Sequence, residues 1–156
     1  MRQFPATITE HEMRLHLREW VELLSQRRFY EAVEWLSPEI PDSSGSTSKS
    51  VWTPELLEAV ISNYGLDESF EGDDWRYSVA PLTEELEATF QKSLTVDFDM
   101  WERIGADGLR LAGAAHVDLP LVNEDGPAMS DLTARFMFKH LQDGQRALVL
   151  LDIHVL

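Results

Sequence analysis

The stretch that decides the fold is residues 131–156, which read DLTARFMFKHLQDGQRALVLLDIHVL. It contains two runs rich in β-forming residues on either side of Asp143-Gly144, a pair typical of a two-residue type I′ turn. Pairing Gln142 with Gln145 sets the register of a β-hairpin. The register predicts an apolar face built from these cross-strand pairs: Phe138 with Val149, Phe136 with Leu151, Ala134 with Ile153, and Leu132 with Val155.

The second face of this hairpin mixes charged and apolar side chains. It sets Arg135 against Asp152 and Thr133 against His154. The same face is predicted to carry Met137, Lys139, Leu148 and Leu150. Because such a face is seldom left open to water, we expect it either to line a pocket beneath the helices or to contact another subunit. A symmetric dimer is the commoner way to cover it.

Two further strands precede the hairpin, because apolar and polar residues alternate through 94–101 and 109–119. Turn-forming residues separate the runs at Gly105–Gly108 and at Asn123–Gly126. The pattern therefore predicts four antiparallel strands.

Helical patterns fill the first part of the chain. Thr9 and Glu12 have capping-box spacing, and the residues that follow form one apolar stripe. That stripe consists of Met13, Leu17, Trp20, Val21 and Leu24. A short helix follows from Phe29 to Pro38, a third begins at Thr53-Pro54 and ends at Gly65, and a fourth follows Thr83.

Residues 42–50 lack large apolar side chains and are predicted to form a mobile, serine-rich surface loop. With helices gathered first and strands last, the order of elements indicates an α+β fold. We expect a single domain spanning 1–156, in which N-terminal helices pack on one face of a C-terminal, four-stranded, curved antiparallel sheet.

Composition excludes several classes of function. The chain has 156 residues, no cysteine and a formal charge of −15, with 28 acidic against 13 basic residues. A surface of this sign repels nucleic acid. Such acidity is usually a solubility property, and the alternative is a surface that binds a basic protein partner. The absence of cysteine rules out disulfides and thiolate metal sites. No apolar run is long enough for a signal peptide or a membrane span, so we expect a cytoplasmic protein without membrane contact.

No motif with an intrinsic catalytic or cofactor mechanism is present, so we assign no catalytic residue, metal or cofactor. The candidates that remain lie on the predicted sheet. His116 and Asp118 share one face of a strand, and so do Asp152 and His154. A histidine beside a carboxylate can act as a base or bind a ligand, but it also arises by chance on any polar sheet face. With Arg135 opposite Asp152, the candidate ligand-binding set is His116, Asp118, Arg135, Asp152 and His154.

The order and length of the elements resemble the cystatin-like α+β cone of the nuclear-transport-factor-like superfamily. Residues 28–38, RFYEAVEWLSP, look like its second helix, which commonly runs into a proline. Residues 152–156, DIHVL, look like its closing strand. The resemblance implies a cone with a pocket between helices and sheet, as in isomerases and cyclases. The helix predicted after Thr53 and the lack of a recognisable catalytic Tyr and Asp set depart from that pattern.

Two functions follow from these features. The first is a non-catalytic protein that acts by protein contact, dimeric through the sheet face; small, acidic, cysteine-free bacterial immunity proteins are similar to it in composition. The alternative is a small-molecule-binding or isomerase-like cone in which the five candidates approach a pocket. An enclosed cavity with converging polar groups would favour the alternative.

Overall fold

The computed structural model describes residues 1–41, 47–69, 72, 75–89, 93–104 and 109–155. It shows an α+β fold in which a curled antiparallel sheet is accompanied by helices. The helices are α1 (Glu10–Ser25), α2 (Phe29–Glu34), α3 (Pro54–Ser62) and α4 (Glu84–Thr89). The strands are β1 (Gln3–Phe4), β2 (Glu39–Pro41), β3 (Thr47–Lys49), β4 (Ser78–Val79), β5 (Leu94–Ile104), β6 (Leu109–Asn123), β7 (Gly126–His140) and β8 (Arg146–Val155).

The main sheet has six strands, so the prediction of four was wrong. Its order is β1-β8-β7-β6-β4, and β5 also pairs with β6. The two additional strands, β1 and β4, are two residues long and carry no readable alternation. A separate two-stranded sheet joins β2 to β3. Of the predicted loop at 42–50, residues 42–46 lie outside the described residues, and Thr47–Lys49 form β3.

Helices α1 and α3 begin directly after their predicted capping residues. The Thr9 side chain accepts a hydrogen bond from the Glu12 backbone N–H at 3.1 Å, and the Glu12 carboxylate accepts one from the Thr9 backbone N–H at 2.8 Å. This confirms the capping box. Thr53 caps α3 in the same way, with Pro54 in its first turn. The predicted apolar stripe of α1 is buried.

The hairpin of β7 and β8 corrects the predicted turn. Leu141 and Gln145 close the loop through a backbone hydrogen bond of 2.8 Å, and Gly144 lies at φ +81°. The loop therefore has three residues, 142–144, with glycine in the left-handed conformation that such loops require. This shifts the pairing by one residue, so Phe138 pairs with Leu148 and Phe136 with Leu150.

A β-bulge at Leu151 cancels that shift. Beyond it Arg135 pairs with Asp152, and the three pairs that follow match the prediction. Leu148 and Leu150 consequently belong to the core, whereas they were predicted on the mixed face. Val149 pairs instead with Met137 on that mixed face. A bulge increases local twist and bend, as a curled sheet requires.

A second irregularity lies between β5 and β6. The register shifts between Asp97 and Trp101, opposite Gly113, whose φ is +96°. The predicted alternation puts Phe98 and Met100 on the same side of the strand, but the shift separates them: Phe98 packs against the core, while Met100 is 46% exposed. The predicted turn at Gly105–Gly108 lies outside the described residues. The Asn123–Gly126 turn is confirmed by the pairing of those two residues.

The core contains residues of the helices and of the sheet. Trp20 of α1 meets Phe136 of β7 edge to face, with ring centroids 5.0 Å apart, and its indole N–H donates to the Ala32 carbonyl at 3.0 Å. Burying the indole therefore leaves no polar atom unsatisfied. Among the described residues, no helix has both the length and the apolar character to cross a lipid bilayer.

Candidate functional site

The five candidate residues come together on one face of the sheet. The pairing of β6, β7 and β8 places His116, Arg135 and Asp152 in one row. Asp118, Thr133 and His154 form the next row, and Thr95 of β5 extends the first beyond His116. We call this surface the polar sheet face; it comprises Thr95, His116, Asp118, Thr133, Arg135, Asp152 and His154.

The centre of the polar sheet face is an ion-paired carboxylate. Arg135 donates to Asp152 through both Nε, at 2.7 Å, and Nη2, and His154 Nδ1 lies 2.8 Å from Asp152 Oδ1. The Arg135 hydrogen bonds hold the pKa of Asp152 below its ordinary value, and the His154 contact acts in the same direction. Asp152 is therefore ionised at neutral pH and is a poor proton acceptor.

The second row contains one buried residue. Thr133 is fully buried and donates from its hydroxyl to Asp118 Oδ1 at 2.6 Å. His116 and Asp118 lie two residues apart on this face of β6, and no hydrogen bond joins their side chains in the described part of the chain. Asp118 is instead held by Thr133.

The polar sheet face points away from the helix-packed core. Its residues alternate along β6 and β7 with Ala115, Val117, Ala134 and Phe136, all of which belong to that core. Successive side chains of a strand point to opposite sides, and Phe136 contacts Trp20 of α1. The candidate residues therefore lie on the side of the sheet opposite α1.

The polar sheet face is only partly exposed, since Thr133 within it and the neighbouring pair Met137 and Val149 are at most 2% exposed. Arg135 and Asp152 each keep 39% of their side-chain area exposed, and His154 keeps 35%. Beside them a shallow cavity of about 180 Å³ is lined by Thr95, Asp97, Met100, Ala114 and His116. Sequence reasoning missed Met100 here, since only the bulge in β5 brings it to this side.

The contacts limit the chemistry of the polar sheet face. In the described part of the chain, no three His, Asp or Glu side chains are grouped so that they could hold a metal ion. Asp152 already accepts hydrogen bonds from a guanidinium and an imidazole, which leaves little capacity for a further ligand. The arrangement suits recognition of a charged surface.

Comparison with known proteins gave no match: no protein-family model fits the chain, and searches of curated proteins and of solved structures returned no similar chain.

Proposed function

We propose that the chain is a non-catalytic protein that acts through protein contact, like an immunity or adaptor protein, and that it dimerises through the polar sheet face. One observation carries the proposal: Arg135 bonds to Asp152 and Thr133 to Asp118 across strands on a partly exposed surface. In a catalytic or ligand-binding site such groups converge instead on an enclosed space.

Charge supports a second copy as the occupant. A symmetric contact brings each surface against itself, so the surface must be self-complementary. Two copies of a chain with charge −15 repel wherever their acidic surfaces meet. The polar sheet face carries both signs, since Arg135 stands between Asp118 and Asp152. Lys139 lies on the same side of β7 as Arg135.

The rest of the surface is available to a basic partner. Glu84, in the first turn of α4, is exposed, and the overall charge would speed encounter with a cationic protein. A cytoplasmic location is part of this proposal, as is a cystatin-like cone in which helices cover one side of the sheet. The Trp20–Phe136 contact supports that arrangement.

A small-molecule-binding or isomerase-like cone is less well supported. In such a protein the candidate residues would line a space between helices and sheet, but here they lie on the side away from Trp20. Asp152 is also ion-paired. No described contact favours this second candidate.

Sedimentation velocity tests the dimer. The experiment compares the wild type with Arg135→Glu at an ionic strength of about 0.5 M, where a screening length of roughly 4 Å weakens the overall repulsion. Arg27→Glu is the matched control, because Arg27 is ion-paired with Glu58 away from the sheet. We expect a dimer for wild type and control, and a monomer for Arg135→Glu. A monomeric wild type, or equal dimerisation of both variants, would refute the proposal.

A further inference from the structure

Arg146 differs from most other basic residues of this chain because it has no carboxylate partner among the described residues. Most described arginines and lysines have a carboxylate partner, as in Arg2–Glu19, Arg18–Glu87, Arg27–Glu58, Arg28–Glu31, Arg135–Asp152 and Lys139–Glu39. Two guanidinium nitrogens of Arg146, Nε and Nη1, are buried and have no hydrogen-bond partner among the described residues. In a chain with 28 acidic residues, a buried arginine nitrogen without a hydrogen-bond partner is unexpected.

The position of Arg146 explains how its side chain is held. It is the first residue of β8, where it pairs with Phe4 of β1 and with His140 of β7. Its guanidinium carbon lies 4.1 Å from the centre of the Phe98 ring. A cation over an aromatic ring is stabilised electrostatically, but the ring does not satisfy the in-plane N–H groups. Phe98 is in turn braced edge-on by Phe138, with centroids 5.0 Å apart.

Arg146 lies beside a histidine rather than a carboxylate. His140 is its cross-strand neighbour, and burial together with the charge of Arg146 lowers the pKa of that histidine. Glu10 accepts a hydrogen bond from the Phe98 backbone N–H at 3.4 Å. In the described part of the chain, no carboxylate lies within ion-pair distance of Arg146.

Buried N–H groups without a partner destabilise a fold, the more so when they are charged. A guanidinium fixed over a ring presents planar donors matched to an oxyanion. Nε and Nη1 themselves are closed off from solvent, whereas Arg146 as a whole is only partly buried and His140 beside it is exposed, so an oxyanion has to enter from the His140 side. We propose that Arg146 and His140 form a binding site for a small oxyanion, a carboxylate or phosphate group. This goes beyond the proposed protein contact and does not depend on it.

Thermal unfolding in sodium phosphate, sodium acetate and sodium chloride at matched ionic strength tests the site. Chloride corrects for general screening of the acidic chain. At an anion concentration of roughly ten times the dissociation constant, we expect a melting temperature about 3 °C or more above that in chloride. A response to acetate identifies a carboxylate ligand, and a response confined to phosphate identifies a phosphoryl group. Equal melting temperatures in all three salts would overturn the proposal.

Arg146→Met assigns the effect to this side chain. Methionine keeps the apolar contact with Phe98 and removes the unsatisfied donors, so we expect it to melt higher than the wild type in chloride and to lose the oxyanion response. Arg27→Met, which removes an exposed arginine elsewhere, should keep that response. If Arg146→Met responds to oxyanions as the wild type does, the site is not at Arg146 and the proposal fails.

A measurement on the wild type alone covers the case in which Arg146→Met does not fold. Nuclear magnetic resonance titration of His140 should show its pKa rising when the effective oxyanion replaces chloride, because the bound anion offsets the charge of Arg146. His11, on the first turn of α1, serves as the internal control. A His140 pKa that moves no more than that of His11 would contradict the proposal.

Discussion

The Arg135–Asp152 ion pair is half-exposed, so we expect it to contribute little to the free energy of unfolding. Its coupling in a double-mutant cycle of Arg135→Gln and Asp152→Asn should be at most about 1 kcal/mol, because solvent screens both partners. Asp152 has a lowered pKa in the folded state. The stabilisation is therefore present above the unfolded pKa, about 4, and is lost as the pH falls through the folded value.

Urea unfolding from pH 7 down to pH 3 measures this coupling, at protein concentrations where every variant is monomeric. A coupling that stays constant over the whole range would show that the charge of Asp152 is not its source.

Phe136 occupies the centre of the core and was expected there from the alternation in β7. Phe136→Ala should lower the free energy of unfolding by about 3–5 kcal/mol, because it removes a fully buried ring and leaves a cavity beside Trp20. Tyr30→Ala is the control, since Tyr30 is 66% exposed. Equal losses in the two variants, measured by urea unfolding, would contradict the placement of this core.

Among the helices and strands, the sequence correctly predicted features that depend on a local residue pattern. Thr9 and Thr53 located two helix starts, and the pairing of Arg135 with Asp152 was correct. The bulge at Leu151 was missed because residues 147–151 are all apolar and read equally well in either register. Leu148 and Leu150 were therefore assigned to the wrong face. The two-residue strands were missed because they form only by pairing with distant residues.

Gly113 is the residue on which the irregularity between β5 and β6 depends. A β-carbon there would lie 2.8 Å from Phe138 Cδ2 and 3.0 Å from Phe98 Cα, at a φ of +96°. Gly126 has a similar φ of +107° but no atom within 4 Å of a β-carbon.

We expect Gly113→Ala to lower the free energy of unfolding by about 3 kcal/mol and Gly126→Ala by about 1 kcal/mol. The difference isolates the steric clash from backbone strain, and chemical denaturation of both variants measures it. Similar losses would show that no close packing surrounds Gly113.

At the scale of the whole molecule, the class of fold was predicted and the direction of the candidate site was left open. Alternation along β6 and β7 placed His116, Asp118 and Arg135 together, but it does not say which side of a sheet the helices cover. That choice depends on long-range packing, here the contact of Trp20 with Phe136. The orphaned nitrogens of Arg146 likewise depend on which residues surround the end of a strand, and no local pattern carries that information.

The central claim is that two copies meet through the polar sheet face, and an inter-copy distance tests it most directly. The chain has no cysteine, so Met100→Cys carries a single spin label at the edge of that face, and Leu15→Cys carries one on the exposed side of α1. Double electron–electron resonance should give a well-defined inter-copy distance for Met100→Cys, shorter than that for Leu15→Cys. A shorter distance from Leu15→Cys, or no dipolar coupling from either label, would contradict the account.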